Sequence, residues 1–402
     1  MRLGIDIRAL QTGHKFRGIG EVAKQVTNRL LRYAANDDNE IIFYEYDDDD
    51  PKELLDLPKG LKYTVVKLGS MPENNLNRSR LDKIKSVTNQ LYGLPISDSN
   101  KSDAFLQFDY AFGVPRNTRT VLIKHDLIPL IFWNDFFESP MVPFKNLAAR
   151  TTLRTMFANY KYRRVLSRSV KNAHKIIAVS SSTKDDLKSY LSVPEKKIKV
   201  VYNGIDVKPT KTNDIISPDR MPTKPYILFV GAADQRRRVE DLVDAFNNIR
   251  ADGHDMQLVL VGENFKSPEL IPSVATRKAV MRSSYKSDIL TMGYVDDTVK
   301  QRLFKDALVF VYPTKYEGFG IPVLEAFLLG TSVITYKNSS LSEVGGDYAI
   351  YVNDWWGIKM AIENLLKEDP AVRKKRLVES KKWAEKFSWD KSAEGIYKEL
   401  VG

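Results

Sequence analysis

The 402-residue chain has no cysteine, which excludes disulfides and thiolate metal sites and fits a reducing compartment. No apolar run approaches the length of a membrane-spanning helix, and the opening residues MRLGIDIRAL lack the pattern of a secretory signal. The expectation from these absences is a cytoplasmic chain, with peripheral attachment to the inner face of a membrane as an option. What is present is ordinary in amount: 43% hydrophobic and 28% charged residues, enough for each half of the chain to bury a core. At this length two domains are the economical division. The net charge of +11 calls for an acidic partner: a phosphorylated small molecule, an anionic membrane surface or a nucleic acid. No recognisable nucleic-acid-binding motif accompanies the charge, so nucleic acid is set aside.

Short apolar runs recur at Arg2 to Ile7, Ile41 to Tyr44, Tyr63 to Val66, Ala104 to Phe108, Val121 to Ile123, Ile176 to Val179 and Ile198 to Val201. A second series runs through Tyr226 to Gly231, Gln257 to Gly262, Ile289 to Gly293, Ala307 to Pro313, Ser332 to Tyr336 and Ala349 to Val352. Strands separated by helix-sized gaps predict parallel α/β sheets with ligands at the carboxyl ends of the strands. Between the two series, Pro209 to Pro225 is polar and proline-bearing, as a hinge should be.

The most informative stretch is Tyr316 to Leu329, YEGFGIPVLEAFLL. It follows a buried strand, places Pro322 at a helix start and is followed by Gly330 at the helix end. Backbone N–H groups from Gly318 through Phe319 and Gly320 to Ile321 can therefore face an anion at a helix N-terminus. Glu317 and Glu325 flank this turn with seven residues between them. Carboxylates offer only acceptors, which suits the vicinal hydroxyls of a ribose or a pyranose.

The pattern E-G-F-G-I-P-V-L-E-A resembles the Glu-x7-Glu signature of family 4 retaining glycosyltransferases, mannosyltransferase-like enzymes that use nucleotide-sugar donors. The resemblance implies the GT-B fold, two Rossmann-like doubly wound domains facing across a cleft. It places the acceptor-binding domain at residues 1–205, the donor-binding domain at 206–386, and has the last helix, 387–402, packing back on the first domain. It implies that Glu325 holds the nucleotide ribose and that Glu317 contacts the transferred sugar.

Other motifs gain roles by the same resemblance. Gly18 and Gly20, in G-I-G after the first strand, would lie against the donor phosphate and the acceptor. His125, in H-D-L-I-P after a strand, would contact the donor sugar near its reacting carbon; His14, His174 and His254 read as surface or helix-end groups. Arg236 and Arg237 stand before a helix whose apolar face is Val239, Leu242, Val243 and Phe246, and two cations there suit a diphosphate. The family usually carries Arg-Lys at this point where this chain has three arginines, and Arg237 takes the lysine's part by its distance from the glycine. The turn Gly293-Tyr294-Val295 resembles the loop whose backbone contacts the base.

Phe144 to Lys171 reads as one helix with Arg150, Arg154, Lys161, Arg164, Arg168 and Lys171 in one stripe, beside Leu153, Met156 and Tyr160. With Tyr162, Leu166 and Val170 toward the core, the stripe would meet an anionic membrane surface. The acidic run Asp47 to Asp50 contains the Asp-x-Asp pattern of metal-dependent transferases, but no glycine turn or basic pair accompanies it, so no metal and no cofactor are expected. The function expected is metal-independent transfer of a hexose, of mannose or glucose type, from a nucleotide-diphosphate sugar to a glycan or lipid-linked acceptor. A sugar phosphorylase or a nucleotide-sugar epimerase of the same fold is the alternative within enzymes.

Overall fold

The computed structural model describes residues 1–16, 18–47, 49–68, 102–108, 114–115, 117–132, 148–207 and 221–402; the side chains of 14, 16, 148–156, 158 and 159 lie outside that description. The chain divides into two compact units, Met1–Gly204 with Ser388–Gly402, and Ile205–Phe387. In the first, β1 (Arg2–Asp6), β2 (Glu40–Glu45), β3 (Tyr63–Lys67), β4 (Ala104–Gln107), β5 (Arg119–Lys124), β6 (Lys175–Ala178) and β7 (Ile198–Val200) form a sheet ordered β3-β2-β1-β4-β5-β6-β7. In the second, β8 (Tyr226–Val230), β9 (Gln257–Val261), β10 (Ile289–Thr291), β11 (Val309–Tyr312), β12 (Val333–Tyr336) and β13 (Ile350–Val352) are ordered β10-β9-β8-β11-β12-β13. Every pairing is parallel. Each strand read from the sequence is present, with ends within two residues of the expectation.

Both sheets are doubly wound with one strand order, so each has a reversal point, between β1 and β4 and between β8 and β11. Parallel strands covered on both faces become continuous apolar runs, as in YILFV of β8 and QLVLV of β9. Helices supply the cover. The Gly18–Asn36 helix buries Val22, Val26 and Leu30, and the Val239–Ala251 helix buries Val239, Leu242, Val243 and Phe246; each such side chain contributes about 1.5–3 kcal/mol. Ser180 caps the Ser181–Leu191 helix by accepting from the Thr183 N–H at 3.0 Å.

The last helix, Trp389–Val401, belongs to the first unit. Its Asp390 pairs with Arg29 at 2.9 Å, and the Tyr397 hydroxyl donates to Asp37 at 2.7 Å while accepting from Asn39 at 2.8 Å. Trp389 is fully buried at its start.

Candidate active site

After β8 the chain turns at Gly231, where a Cβ would lie 2.1 Å from Arg237 Nη1. Only glycine lets that guanidinium press against the backbone. The turn Gln235–Arg237 follows, and Arg238 closes it at φ 47° as the residue before the Val239–Ala251 helix. The three arginines are thereby separated. Arg238 is tied to Asp241 of the helix's first turn at 2.6 Å, whereas Arg236 and Arg237 turn inward beneath the end of β11. The sequence places the arginines directly at a helix start; in the structure a left-handed residue stands between them and that helix.

Arg236 Nη1 donates to Glu317 Oε1 at 2.7 Å and to the Tyr316 carbonyl, and its Nε lies 3.0 Å from Asp234 Oδ1. Arg237 Nε lies 3.3 Å from both Asp234 and Glu317, with its guanidinium over the Tyr312 ring. The Tyr312 hydroxyl donates to Glu317 Oε1 at 2.9 Å. Two arginines thus face two carboxylates in a nearly closed space. Burial by itself would push the Glu317 carboxyl up; Arg236 and Arg237 outweigh it and hold the group below the ordinary carboxylate value. Burial raises the Tyr312 phenol, which stays a neutral donor. The backbone is fixed as well: Ser339 Oγ accepts from the Glu317 N–H at 3.0 Å, and Ser340 Oγ donates to the carbonyls of Glu317 and Phe319 at 2.8 Å.

The Gly318, Phe319, Gly320 turn enters the Ile321–Leu328 helix through Gly320 at φ +107°, a conformation that favours glycine. Pro322 is the second helical residue rather than the first, a position where its missing N–H also costs nothing. Glu325 does not share the arginine cluster; its Oε1 accepts from Lys300 Nζ at 2.9 Å. At the end of β10, Gly293 donates to the Phe265 carbonyl and accepts from the Gly262 N–H, so its main chain is already engaged. Tyr294 beside it is exposed and Val295 half-buried.

In the first unit, half-buried His125 follows β5, and its carbonyl accepts from Thr183 Oγ1 at 3.2 Å. Gly18 and Gly20 lie inside the first turn of the Gly18–Asn36 helix, Gly18 exposed and Gly20 buried, whereas the sequence places them in a loop ahead of it. The low helix propensity of glycine hides a helix start of this kind.

The model of glycosyltransferase family 4 matches residues 23–208, and that of the group 1 glycosyl transferases matches residues 211–383. The chain belongs to the family 4 glycosyltransferases. It is 30% identical over 252 residues to an uncharacterized glycosyltransferase of Methanocaldococcus jannaschii, covering 56% of this chain and 61% of that one. It is 26% identical over 232 residues to the O-antigen chain mannosyltransferase B of Escherichia coli, covering 56% and 60%. The match thus spans about three fifths of these relatives' lengths. Among solved structures, sucrose-phosphate synthase of Thermosynechococcus elongatus superposes with a TM-score of 0.66 at 17% identity over 99% of this chain and 98% of that one. Anabaena HepE, solved in complex with UDP-glucose, gives 0.64 at 15% identity over 99% and 98%. The fold is GT-B.

Several groups of this family 4 chain escape sequence reasoning. Asp6 at the end of β1 accepts from Arg8 at 2.5 and 3.0 Å and from Gln107 of β4 at 2.9 Å, all three buried. The charges in G-I-D-I-R, interrupting an apolar strand, are the signal that marks Asp6 and Arg8. Tyr312 and Lys300 carry no such signal.

The Ala148–Asn172 helix exposes Phe157, Tyr160, Arg163, Arg164 and Lys171, but Lys161 and Arg168 are half-buried, because Val165 and Ser169 join Leu166 and Val170 on the inward face. The exposed face is therefore rotated away from the stripe read in the sequence. Residues 144–147 and the side chains of Arg150 and Arg154 lie outside the description. In the acidic run, Asp50 caps a short helix by accepting from the Lys52 N–H, and Asp49 accepts from Gln11. Among the described residues no group of three or more His, Asp or Glu is arranged to hold a metal ion, and no helix is long and apolar enough to cross a membrane.

Proposed function

We propose that the chain is a retaining hexosyltransferase that moves a sugar from a nucleotide-diphosphate donor to a glycan or lipid-linked acceptor without a metal ion. The observation that carries this reading is the largely buried set of Arg236, Arg237, Glu317 and Tyr312 at the carboxyl ends of β8 and β11. In the proposed reaction the bond from the sugar's anomeric carbon to the diphosphate breaks, and the acceptor oxygen bonds to that carbon on the same face. The acceptor's proton passes to the leaving diphosphate. Arg236, Arg237 and the N-terminus of the Ile321–Leu328 helix, reached through Gly318, Phe319 and Gly320, stabilise the charge that develops there. Glu317 and His125 orient the sugar, Glu325 takes the ribose diol, and the main chain at Tyr294 and Val295 meets the base. Gly18 and Gly20 keep a place beside phosphate and acceptor.

Support for a diphosphate ligand comes from charge balance. Arg236 and Arg237 are matched by Asp234 and Glu317, so an entering diphosphate exchanges for carboxylates that are already in place. The experiment is to challenge the protein with UDP- and GDP-hexoses, follow thermal unfolding, and determine the anomer of any product by NMR. Protection by one donor and a product of retained configuration support the reading. Product release that requires added phosphate points instead to a phosphorylase.

The exposed Phe157, Tyr160, Arg163, Arg164 and Lys171 support peripheral attachment to an anionic, cytoplasm-facing membrane surface, with rings at the interface and cations on the headgroups. Charge reversal of Arg163, Arg164 and Lys171 should abolish sedimentation with phosphatidylserine vesicles, and unchanged sedimentation removes this helix from the reading.

A further inference from the structure

Lys300 sits in the first turn of the Asp297–Asp306 helix, which Asp296 caps by accepting from the Val299 N–H at 2.8 Å. Its ammonium reaches Glu325 Oε1 at 2.9 Å and Asp297 Oδ1 at 3.2 Å. The three side chains differ in exposure: 26% for Lys300, 16% for Glu325 and 74% for Asp297. Glu325 is the sole charged residue of its helix, IPVLEAFL, whose other side chains are apolar. Burial by itself would push the Lys300 ammonium down; Glu325 outweighs it and holds it above the ordinary lysine value.

We propose that Lys300 is a positioning residue for nucleotide recognition, holding the Glu325 carboxylate in one orientation so that a ribose is preferred over a 2′-deoxyribose. This rests on the reading of Glu325 as the ribose acceptor. A carboxylate has two oxygens and about four lone-pair sites, so one ammonium on Oε1 fixes its rotamer without exhausting its capacity for a diol. Hydrogen bonds to a carboxylate acceptor are roughly twice as strong as those to a neutral one, so its direction has a large effect on the diol. Without Lys300, a carboxylate that is mostly removed from water would lose this cation and the orientation it sets. Exposed Asp297 has a weak hold on the lysine and is not needed for this role.

Calorimetric titration of UDP, GDP and their 2′-deoxy forms into the wild type, Lys300→Met, Lys300→Arg, Asp297→Asn and Glu325→Gln tests the proposal. The wild type should bind the better ribonucleotide roughly tenfold more tightly than its 2′-deoxy form. Lys300→Met should shrink that ratio to about twofold by weakening the ribose form, with the deoxy form little changed. Lys300→Arg and Asp297→Asn should keep most of it. A purely structural lysine would lower both affinities equally and leave the ratio intact; that result overturns the proposal. If Lys300→Met fails to fold, Lys300→Gln is read in the same way. Loss of the ratio in Glu325→Gln with its retention in Lys300→Met overturns the role of Lys300 and keeps the ribose reading. A wild type that does not distinguish the two sugars removes both.

Discussion

The two sheets share one strand order, and each sets an arginine–carboxylate cluster at the carboxyl ends of its reversal-point strands. In the first unit Asp6, Arg8 and Gln107 are at most 1% exposed. In the second the side chains of Glu317 and Arg237 keep 11% and 14%, and two arginines share two carboxylates. The sealed pair binds Asp6 and Arg8 bidentately and fixes the path of the chain after β1. The second cluster is offset, bridged by a neutral tyrosine, and its members each touch several partners. One topology thus yields a sealed pair at one reversal point and a less sealed, multiply partnered set of charges at the other.

The largest expected effect breaks the sealed pair. Asp6→Asn removes the carboxylate charge that buried Arg8 grips at two points and should cost about 3–5 kcal/mol, read from the denaturant midpoint. If the midpoint barely moves, the first cluster does not fix the chain as described. Glu317→Gln should do the opposite, lowering turnover about a hundredfold with a smaller loss of stability and of nucleoside diphosphate affinity. Because the folded Glu317 has a depressed pKa, the stability it contributes is fully present above the unfolded carboxylate value of about 4.3 and disappears as pH falls through the lower folded value. The stability difference between wild type and Glu317→Gln should therefore narrow below that range. A difference that is flat with pH would contradict the pairing with Arg236 and Arg237.

Tyr312→Phe removes one donor from Glu317 and keeps the ring under Arg237, so it should lower turnover about tenfold with donor affinity preserved, as steady-state kinetics will reveal. The smallest effect belongs to the acidic run. Changing Asp47, Asp48, Asp49 and Asp50 to Asn should alter activity only slightly and transfer should persist in EDTA, since asparagine caps a helix as well as aspartate does at position 50. Strict dependence on manganese or magnesium, lost with those substitutions, would overturn the metal-free mechanism.

The sequence makes the sheets legible because a parallel strand covered on both faces must be apolar throughout, as at Tyr226 to Val230. It also makes the positions of Glu317 and Glu325 legible, because a glycine turn and Pro322 announce the helix between them. The partnerships are another matter. Arg236 and Glu317 are 81 residues apart, Lys300 and Glu325 are 25 apart, and Asp6 and Gln107 are 101 apart. Periodicity along one element carries no record of what a second element brings to it. The same limit explains the Ala148–Asn172 helix, whose 3.6-residue period is plain while the face taken by the core, which buries Val165 and Ser169, is set by what packs on it.

The central claim is that the second cluster is the diphosphate site and the first is not. Calorimetric titration of the cognate nucleoside diphosphate into Arg237→Met and Asp6→Asn compares them directly, with affinity referred to the folded fraction of each. The account predicts that Arg237→Met weakens binding at least about tenfold, whereas folded Asp6→Asn binds as the wild type does. Wild-type affinity in Arg237→Met, or a comparable loss in both variants, would contradict it.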